Sequence, residues 1–404
     1  MTLNDVAWPE GWETAPLWSL FTRVKDVGHP HERMLSVYRD HGVIQTDSRE
    51  DNFNKTAENR NIYQLVDHGW LILNRMKAWQ GSVGISTYRG IVSGHYICFQ
   101  PHHDNDPRFL NHLLRSPIYT AELRRLSRGV RPNQFEIDND LLRALPVHLP
   151  PLSEQRAIAD YLGAETARID ALITKKRRMI EALEERQSGL VEHRIRAFVA
   201  ERGALPLKHA VREVTVGIVI TPAKWYVDDG VPALRGVNVG PGSIDMTDCV
   251  FLSDEGHAAN RKSTIRTGDV VVVRTGQAGA AAVVPRDLDG ANCIDLLLIR
   301  PSKQMDSKYL EYVLNSDWTI KHVAEHSVGT IQAHFNVGAL RELPVAVPTL
   351  MEQRAAVTDL DRECGRLTSM QQCLSAQLDL LAERRQVLIT AAVTGELEIP
   401  GVAA

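Results

Sequence analysis

The stretch "LRALPVHLPPLSEQRAIADYL", residues 142–162, returns 198 residues further along the chain as "LRELPVAVPTLMEQRAAVTDL", residues 340–360. Twelve of the 21 aligned positions carry the same residue, far more than unrelated sequences would share. In each copy a proline-containing segment turns into a helical pattern, because the prolines stop a helix from extending backwards. A repeat at a fixed interval indicates that one structural unit occurs twice in the chain.

The repeat extends upstream of this stretch. A predicted helix, "FLNHLLRSPIYTAELRRLSRG" (109–129), aligns with "YLEYVLNSDWTIKHVAEHSVG" (309–329). An apolar run that ends in arginine, "GWLILNR" (69–75), aligns with "GDVVVVR" (268–274) and has the character of a buried strand. Turn-rich segments follow, and a further strand is predicted near 95–99 and 294–300. The repeated unit is therefore predicted to be a mixed α/β domain.

Each repeated stretch leads into a long helical pattern with seam positions at alternating spacings of three and four. In the first helix these positions are Ile158, Leu162, Ile169, Leu172, Met179, Leu183 and Leu190, with Glu165, Lys176 and Arg186 completing the series. In the second they are Val357, Leu360, Cys364, Leu367, Gln371, Leu374, Leu378, Leu381, Arg385 and Leu388. Such spacing is typical of a coiled coil. Because a whole domain separates the helices in sequence, we expect them to pack in antiparallel orientation.

Capping residues mark where these helices begin and end. The predicted caps are Asp106 and Asp306 for the short helices, Ser153 for the first long helix, Thr349 with Glu352 for the second, and Gly203 and Gly395 for their ends.

The predicted fold class is α+β with a pseudo-twofold internal repeat. Two mixed α/β domains are joined by two long antiparallel coiled-coil helices. The predicted boundaries are 1–151 for the first domain, 152–203 for the first helical spacer, 204–349 for the second domain and 350–404 for the second spacer. A helix of about 45 residues is about 60–70 Å long, which is more than the width of one such domain.

Composition and charge are those of a folded soluble protein. The 404 residues include 44% hydrophobic and 24% charged residues and carry a net charge of −4. No segment reaches the ~18 apolar residues needed to cross a bilayer, and the start of the chain lacks the basic region of a signal peptide. The five cysteines are far apart and form no C-x-x-C, so we expect a reduced, cytoplasmic protein.

The sequence contains no familiar catalytic motif: G-x-G-x-x-G, G-x-x-x-x-G-K-[ST], H-E-x-x-H and G-x-S-x-G are all missing. We interpret "PHHDND" (101–106) as a solvated loop that leads into a helix cap rather than as a metal site. The repeated "EQR" triplets at 154–156 and 352–354 lie on a first helical turn, where the helix dipole favours an acidic residue. No catalytic residue and no metal ligand are therefore predicted.

One loop in each copy offers residue types that read DNA bases. These loops are "SRGVRPNQF" (127–135) and "SVGTIQAHF" (327–335). Asn and Gln pair with adenine, and Arg pairs with guanine, in the major groove. Five arginines also lie between Arg115 and Arg131. The alternative is a polar surface loop anchored by the phenylalanine that ends it, and spacing alone does not separate the two interpretations.

Several paired motifs together indicate a family. They are "WPEGWE" (8–13), the two L-P-V-x-x-P-x-L-x-E-Q-R junctions, the G-x-x-x-x-Q and G-x-x-Q loops before them, and "ITAAVTGEL" (389–397). Over essentially the whole chain they resemble the specificity subunit of Type I restriction–modification systems, which defend against foreign DNA. The resemblance implies a non-catalytic subunit whose two target-recognition domains each read one half of a bipartite, asymmetric DNA sequence.

The same resemblance implies partners and cofactors. The helices are expected to set the spacing of the two half-sites and to bind two methyltransferase subunits, and motor-nuclease subunits join in the full complex. No cofactor is expected in this chain. S-adenosylmethionine is expected in the methyltransferase partner, and ATP and Mg in the motor-nuclease partner. No membrane partner is implied.

Candidate contact residues follow from these expectations. The candidate DNA contacts are Arg75, Lys77, Arg115, Arg124, Arg125, Arg128, Arg131, Asn133, Gln134, Arg235, Arg274, Gln277, Thr330, Gln332 and His334. The candidate contacts to the methyltransferase are Ile158, Leu162, Ile169, Leu172, Leu183, Leu360, Leu367, Leu374 and Leu381. Arg124, Arg125 and Arg128 are expected to contact the DNA backbone, whereas Gln134 and Gln332 are expected to contact base edges.

Two other classes of function remain open at the level of sequence. A stand-alone enzyme with an unfamiliar site in one domain is disfavoured by the missing motifs and by the symmetric layout. A protein-binding coiled-coil scaffold is disfavoured by the basic loop of the first copy, but the second copy lacks that arginine cluster.

Overall fold

The computed structural model describes residues 3–48, 59–129, 135–220, 222–326 and 335–400. These residues fall into two compact units. The first unit comprises Met1–Lys176 together with Ala376–Ala404, and the second comprises Arg177–Ser375. This division differs from the four segments predicted from the sequence, because each unit combines one α/β domain with parts of both long helices.

The first unit contains twelve strands among its described residues. They are β1 (Glu13–Pro16), β2 (Phe21–Val24), β3 (Leu35–Tyr38), β4 (Gly42–Gln45), β5 (Gln64–Val66), β6 (Leu71–Asn74), β7 (Val83–Ile85), β8 (Gly90–Val92), β9 (Tyr96–Pro101), β10 (Ser127–Arg128), β11 (Glu136–Ile137) and β12 (Pro146–Leu149). Its α-helices are α1 (Leu17–Leu20), α2 (Pro107–Leu114), α3 (Pro117–Arg125), α4 (Asn139–Arg143) and the beginning of α5 (Leu152–Arg202).

The second unit repeats the main elements of this order. Its strands are β13 (Leu205–Pro206), β14 (Val211–Val216), β15 (Tyr226–Val227), β16 (Val231–Leu234), β17 (Val239–Gly240), β18 (Ser243–Ile244), β19 (Val250–Leu252), β20 (Val270–Val273), β21 (Ala281–Val283), β22 (Asn292–Cys293), β23 (Leu296–Pro301) and β24 (Pro344–Val345). Its helices are α6 (Leu207–Ala210), α7 (Asp254–Ala259), α8 (Ser307–Leu314), α9 (Asp317–His326), α10 (Val337–Glu342) and the beginning of α11 (Leu350–Val393).

Each unit is organised around a four-stranded antiparallel sheet. The strand order is β2-β9-β6-β7 in the first unit and β14-β23-β20-β21 in the second. The two apolar runs predicted to be buried strands form β6 and β20, and each lies at a central position of its sheet. Because the two orders correspond element by element, the duplication predicted from the sequence is confirmed as a duplicated fold.

The hydrophobic core of each unit lies between its sheet, its short helices and the long helices. In the first unit, Phe109 and Leu110 of α2 pack with Leu162 of α5 and with Ala392 and Val393 of α11. In the second unit, Tyr309 and Leu310 of α8 pack with Phe198 of α5 and with Leu360 of α11. Each domain is therefore fixed to both long helices by shared apolar side chains.

The predicted helix caps are confirmed with one exception. Asp106 and Asp306 accept hydrogen bonds from the first backbone N–H groups of α2 and α8. The Glu352 N–H donates to Thr349 Oγ1 at 3.3 Å, and the Thr349 N–H donates to Glu352 Oε2 at 2.8 Å, which forms a capping box. Gly203 and Gly395 follow the helix ends with φ of 74° and 76°.

The exception is Ser153, which lies inside the first turn of α5 and does not precede it. The helix begins at Leu152. The N–H groups of Glu154 and Gln155 both donate to the Pro151 carbonyl, at 2.9 and 3.0 Å. The prolines before the helix therefore set its start two residues earlier than the cap preference of serine predicts.

Within each unit the two long helices run antiparallel. In the first unit Arg385 of α11 donates to Asp170 of α5 at 3.0 Å, and Lys176 donates to Gln377. In the second unit Arg202 of α5 donates to Glu352 of α11 at 2.6 Å. Arg194 also donates to Asp359, at 3.4 Å. In both cases residue numbers rise along one helix as they fall along the other.

The buried seam of α11 follows the predicted series, but that of α5 does not. Leu172 and Met179 were predicted to lie in the seam, and their side chains are 46% and 51% exposed. The neighbouring Ile173 and Ile180 are half-buried in their place. Leu172 and Ile173 are both apolar, as are Met179 and Ile180, so the sequence is compatible with two seam registers. The structure adopts the register that also includes Thr166 and Gln187. The predicted register of α5 was wrong over this part of the helix.

Substitution of Ile173 tests this seam. We expect Ile173→Ala to lower the free energy of unfolding by about 1–2 kcal/mol, because a half-buried isoleucine leaves a gap between the helices. The matched change Leu172→Ala is expected to stay within about 0.5 kcal/mol, since that side chain is largely solvated. Urea unfolding followed by circular dichroism gives both values, and a larger loss for Leu172→Ala would contradict the observed register.

Candidate functional site

The first candidate site lies where the central strand β6 ends. Arg75 follows this strand, and its carbonyl accepts a hydrogen bond from the Ile137 N–H at 3.4 Å. The guanidinium of Arg75 forms an ion pair with Glu136, which lies on β11 beside Ile137. The hairpin formed by β10 and β11 therefore attaches to the end of the central strand. We call Arg75 and Glu136 the first arginine site.

An aromatic cluster supports the base of this hairpin. The ring of Phe135 packs edge-on against Trp79, with ring centroids 5.2 Å apart. The guanidinium of Arg124 lies 5.9 Å from the Trp79 ring centroid, in cation–π geometry. Both Arg124 and Lys77 are exposed beside this cluster. Two of the predicted DNA contacts therefore lie next to the first arginine site, on one surface.

The other described arginines of the first unit are engaged within the chain. Arg125 donates from Nε to Glu122 at 3.0 Å and forms an ion pair with it at 2.5 Å through Nη2. Arg115 is largely enclosed, and burial lowers the pKa of its guanidinium. Its Nη2 donates to the Arg39 carbonyl at 3.1 Å. Arg128 lies 3.7 Å from Asp138 and stays exposed. Their assignment as DNA contacts remains a prediction, and Arg115 has the least exposed side chain of the three.

The second candidate site has the same position in the second unit. Arg274 follows the central strand β20, and its carbonyl accepts from the Phe335 N–H at 3.1 Å. Arg274 Nη1 donates to Asp295 Oδ1 at 2.7 Å, and Thr275 Oγ1 donates to Asp295 Oδ2 at 3.2 Å. We call Arg274 and Asp295 the second arginine site. Each unit thus has an arginine–carboxylate pair at the end of its central strand.

A cavity of about 690 Å³ opens beside the second arginine site. Arg235, Thr275, Gln277 and Asp295 line it. Arg235 Nη2 donates to the Asp248 carbonyl at 2.6 Å, which holds the side chain against the wall. Gln277 is exposed. Two of the predicted DNA contacts, Arg235 and Gln277, therefore line one opening, and Asp295, the partner of Arg274, lines it as well.

The remaining predicted DNA contacts lie outside the described residues. They are Arg131, Asn133 and Gln134 of the first loop and Thr330, Gln332 and His334 of the second.

One detail of the loop alignment needs correction. The loop alignment sets Phe335 opposite Phe135. In the structure Phe335 is buried, and its N–H donates to the Arg274 carbonyl as the Ile137 N–H donates to the Arg75 carbonyl in the first unit. Phe135 is instead half-buried against Trp79. The two residues missing from the second loop therefore lie before its phenylalanine, so that the backbone rejoins the sheet at the same place in both units.

Sequence reasoning missed the role of two glutamines in the "EQR" triplets. Gln155 Oε1 accepts from the Asp106 N–H at 2.9 Å. Its Nε2 donates to Asn105 Oδ1 at 2.7 Å and to the Pro150 carbonyl at 2.8 Å. Gln353 repeats this arrangement with the Asp306 N–H at 2.8 Å and the carbonyls of Gln304 and Pro348, both at 2.8 Å. Their exposures are 2% and 0%.

These glutamines join three segments in each unit. The amide links the capping loop of the short helix, the proline segment and the first turn of the long helix. The recurrence of a polar residue at a helix start was the only signal in the sequence, and it is equally consistent with a solvated position. The structure explains the recurrence because both copies use the side chain for the same buried connection.

Several predicted methyltransferase contacts are covered by the chain itself. Ile158 and Leu162 lie in the core of the first unit, and Leu360 lies in the core of the second. Ile169, Leu367 and Leu374 are also buried. Because these side chains are already enclosed, they are not available as a surface for another subunit, and their assignment as partner contacts is corrected. Leu172 is exposed, whereas Leu183 and Leu381 are half-buried.

No helix in the described part of the chain is long and apolar enough to span a membrane. Across those same residues, no group of three or more His, Cys, Asp or Glu side chains is arranged to hold a metal ion.

Comparison with known proteins agrees with the resemblance. A family model of the Type I restriction modification DNA specificity domain matches residues 9–182. The MjaVIII specificity subunit of Methanocaldococcus jannaschii is 24% identical over 238 residues, covering 54% of this chain. The chain spans only 55% of that protein. The EcoKI specificity subunit of Escherichia coli K12 is 21% identical over 428 aligned positions, covering 96% of this chain and 90% of that protein.

The fold of the whole chain has a solved counterpart. A chain from a structural study of complex assembly and conformational transition of the type I R-M system superposes with a TM-score of 0.68 at 17% identity. The superposition covers 97% of this chain and 100% of that one. At this identity the likeness concerns the fold alone. In sequence, the chain is similar to the specificity subunits of Type I restriction–modification systems, and the family model of their DNA specificity domain matches residues 9–182.

Proposed function

We propose that this chain recognises a bipartite DNA sequence, with each unit reading one half of an asymmetric target. The observation that carries this proposal is the paired construction of the two sites. Each unit presents an arginine at the end of its central strand, beside the loop that leads back to the long helix. The surrounding residues differ between the units, as expected if each unit reads different bases.

The side chains at these sites are of the types that contact DNA. Lys77 and Arg124 in the first unit, and Arg235 and Gln277 in the second, are cationic or amide groups near the arginine sites. Such groups neutralise phosphates or donate to base edges. The net charge of −4 limits the affinity of the chain alone. We therefore propose that tight binding requires partner subunits.

We further propose that those partners are two methyltransferase subunits and that the long helices set the spacing of the half-sites. Relatives are named as specificity subunits, which supports a non-catalytic role. The helix α5 has 51 residues and α11 has 44. Their antiparallel pairing within each unit makes them stiff elements of fixed length. Motor-nuclease subunits would join this assembly for cleavage.

Selection from a random duplex library tests the proposal. The chain assembled with its methyltransferase is expected to enrich two short sequences separated by a gap of constant length and variable composition. The constant gap follows from the fixed length of the helices. The rigorously purified chain alone is expected to transfer no methyl groups to the same DNA.

Other outcomes of the selection would count against the proposal. Enrichment of a single continuous sequence would contradict the bipartite reading. Assembly with the methyltransferase but no enrichment of any sequence would favour a protein-binding scaffold. Methyl transfer by the chain alone would show that it is an enzyme.

A further inference from the structure

The carboxylates of the two arginine sites come from different places in the fold. Glu136 lies on β11, after the loop of the first unit, whereas Asp295 lies between β22 and β23 of the second unit. The position that corresponds to Asp295 in the first unit is His95, whose carbonyl accepts from the Arg75 N–H at 2.9 Å. The arginines thus occupy equivalent positions, but their acidic partners do not. Duplication alone therefore does not account for both pairs.

The second arginine site is held with unusual firmness. Asp295 adopts a φ of 50°, the only positive φ of a non-glycine residue in the described ranges. This conformation is strained for aspartate, and strain of this kind is retained where the surroundings enforce it. Both carboxylate oxygens are occupied, one by Arg274 and one by Thr275. The carboxylate is therefore held in place by Thr275 and in turn positions the Nη1 end of the guanidinium.

Despite these ion pairs, each arginine keeps donors that bond to no other described residue. Arg75 meets Glu136 through Nε and leaves both terminal nitrogens for another acceptor. Arg274 meets Asp295 through Nη1 and leaves Nη2 and Nε. Their side chains are 43% and 27% exposed, so these donors reach solvent. Arg125 differs, because both Nε and Nη2 are bound to the buried Glu122.

We propose that Arg75 and Arg274 each read a guanine, one in each half-site, with Glu136 and Asp295 acting as positioning residues. A guanidinium donates to guanine O6 and N7 in the major groove, and this is the commonest specific contact of arginine with DNA. The inference rests on the proposed function. It deepens that function by naming the base and the residue that reads it.

Electrostatics favours a base edge over a phosphate as the acceptor. An arginine paired with a carboxylate carries little net charge as a unit, so it attracts a phosphate weakly. A guanidinium positioned by its carboxylate still presents directed donors to a base edge, and direction decides that contact. Lys77 and Arg124 nearby form no ion pair with another described residue and are better suited to neutralise phosphates.

The test combines protein variants with a modified base. The assembled complex first selects its target sequence. Each guanine of the target is then replaced singly by 7-deazaguanine, which lacks the N7 acceptor, and affinities are measured on labelled duplexes. The variants are Arg274→Lys, which keeps the charge, and Asp295→Asn, which keeps the shape but removes the ionic partner. Arg75→Lys serves as the matched control for the other half-site.

The wild-type complex is expected to lose about 5- to 140-fold in affinity at one guanine of the second half-site. Arg274→Lys is expected to show a similar loss on the natural DNA and a smaller response to the modified base, because a lysine ammonium lacks the planar donor fork. Asp295→Asn is expected to show a smaller loss at the same base pair. Arg75→Lys is expected to change one guanine of the first half-site only.

Three results would overturn the inference. The first is a half-site that contains no guanine. The second is an Arg274→Lys complex that responds to 7-deazaguanine as strongly as the wild type. The third is an Arg274→Lys complex that loses affinity equally for all sequences and shows a weaker salt dependence, which indicates a phosphate contact. In each of these cases a selected bipartite target would leave the proposed function intact. Failure of the wild-type complex to select any sequence would instead show that the proposed function itself is wrong.

Discussion

A chain whose residues 1–141 come from a relative is expected to recognise a new first half-site while it keeps the second half-site unchanged. The reason is that the first unit supplies its own sheet, core and arginine site, so its contacts with bases do not depend on side chains of the second domain. Specific binding exceeds non-specific binding by about 10³-fold or more. We therefore expect the hybrid's affinity for the original first half-site to decrease by about the same factor. Selection from a random library by the assembled hybrid measures both half-sites at once.

The structure shows which contacts such a hybrid has to keep. Leu142, Leu145 and Val147 lie beyond the exchange point but belong to the core of the first unit. Ala392 and Val393 of α11 belong to it as well. The donor segment therefore needs apolar residues that match them, and circular dichroism of the hybrid checks its folding. The matched control exchanges residues 204–339 instead and is expected to change the second half-site alone. A hybrid in which both half-sites change would show that the two units read DNA as one coupled surface.

Gln155→Leu is expected to destabilise the first unit by about 3–5 kcal/mol. Leucine has a suitable size for the site but makes none of the three hydrogen bonds of the amide. The change leaves the Asp106 N–H and the Pro150 carbonyl buried without this partner, and the half-buried Asn105 side chain loses it too. Trp12 lies close by and donates from Nε1 to Glu154 at 3.2 Å, so tryptophan fluorescence during urea unfolding should report the loss.

The neighbouring residue provides the control. Arg156 is exposed beside Gln155 on the same helical turn. Arg156→Ala is expected to change the free energy of unfolding by about 0.5 kcal/mol or less. Equal effects of the two substitutions would mean that the buried amide adds no stability beyond its helix position. Gln353→Leu is expected to reproduce the large loss in the second unit.

The repeated fold was predictable because the chain contains two copies of one unit, and their sequences can be compared with each other. The two copies of the proline junction show which positions stay alike, and β6 and β20 are recognisable as buried runs that end in arginine. Capping preferences placed Asp106 and Asp306 correctly, since those contacts are local in sequence. Local rules were therefore sufficient for the order of the elements and for most of their ends.

The errors arose where a residue's environment depends on distant parts of the chain. Leu172 and Ile173 are both apolar, so the pattern in α5 does not decide which of them faces α11. A glutamine at a helix start looks the same in sequence whether it is solvated or, like Gln155, connects three segments. The pairing of Arg274 with Asp295 joins residues on different elements, and no motif spans them. Such relations become visible only when the fold brings the residues together.

The core of the first unit includes residues that follow the whole second domain in the sequence, and this affects synthesis on the ribosome. Ile389, Ala392, Val393 and Ile399 belong to a core whose other members include Leu3 and Val6. Every residue of Arg177–Ser375 leaves the ribosome before Ile389 does. Domains fold as units during synthesis. The first unit is therefore the last to complete its core. Translation that stops before Ile389 leaves apolar residues of the N-terminal domain exposed to solvent.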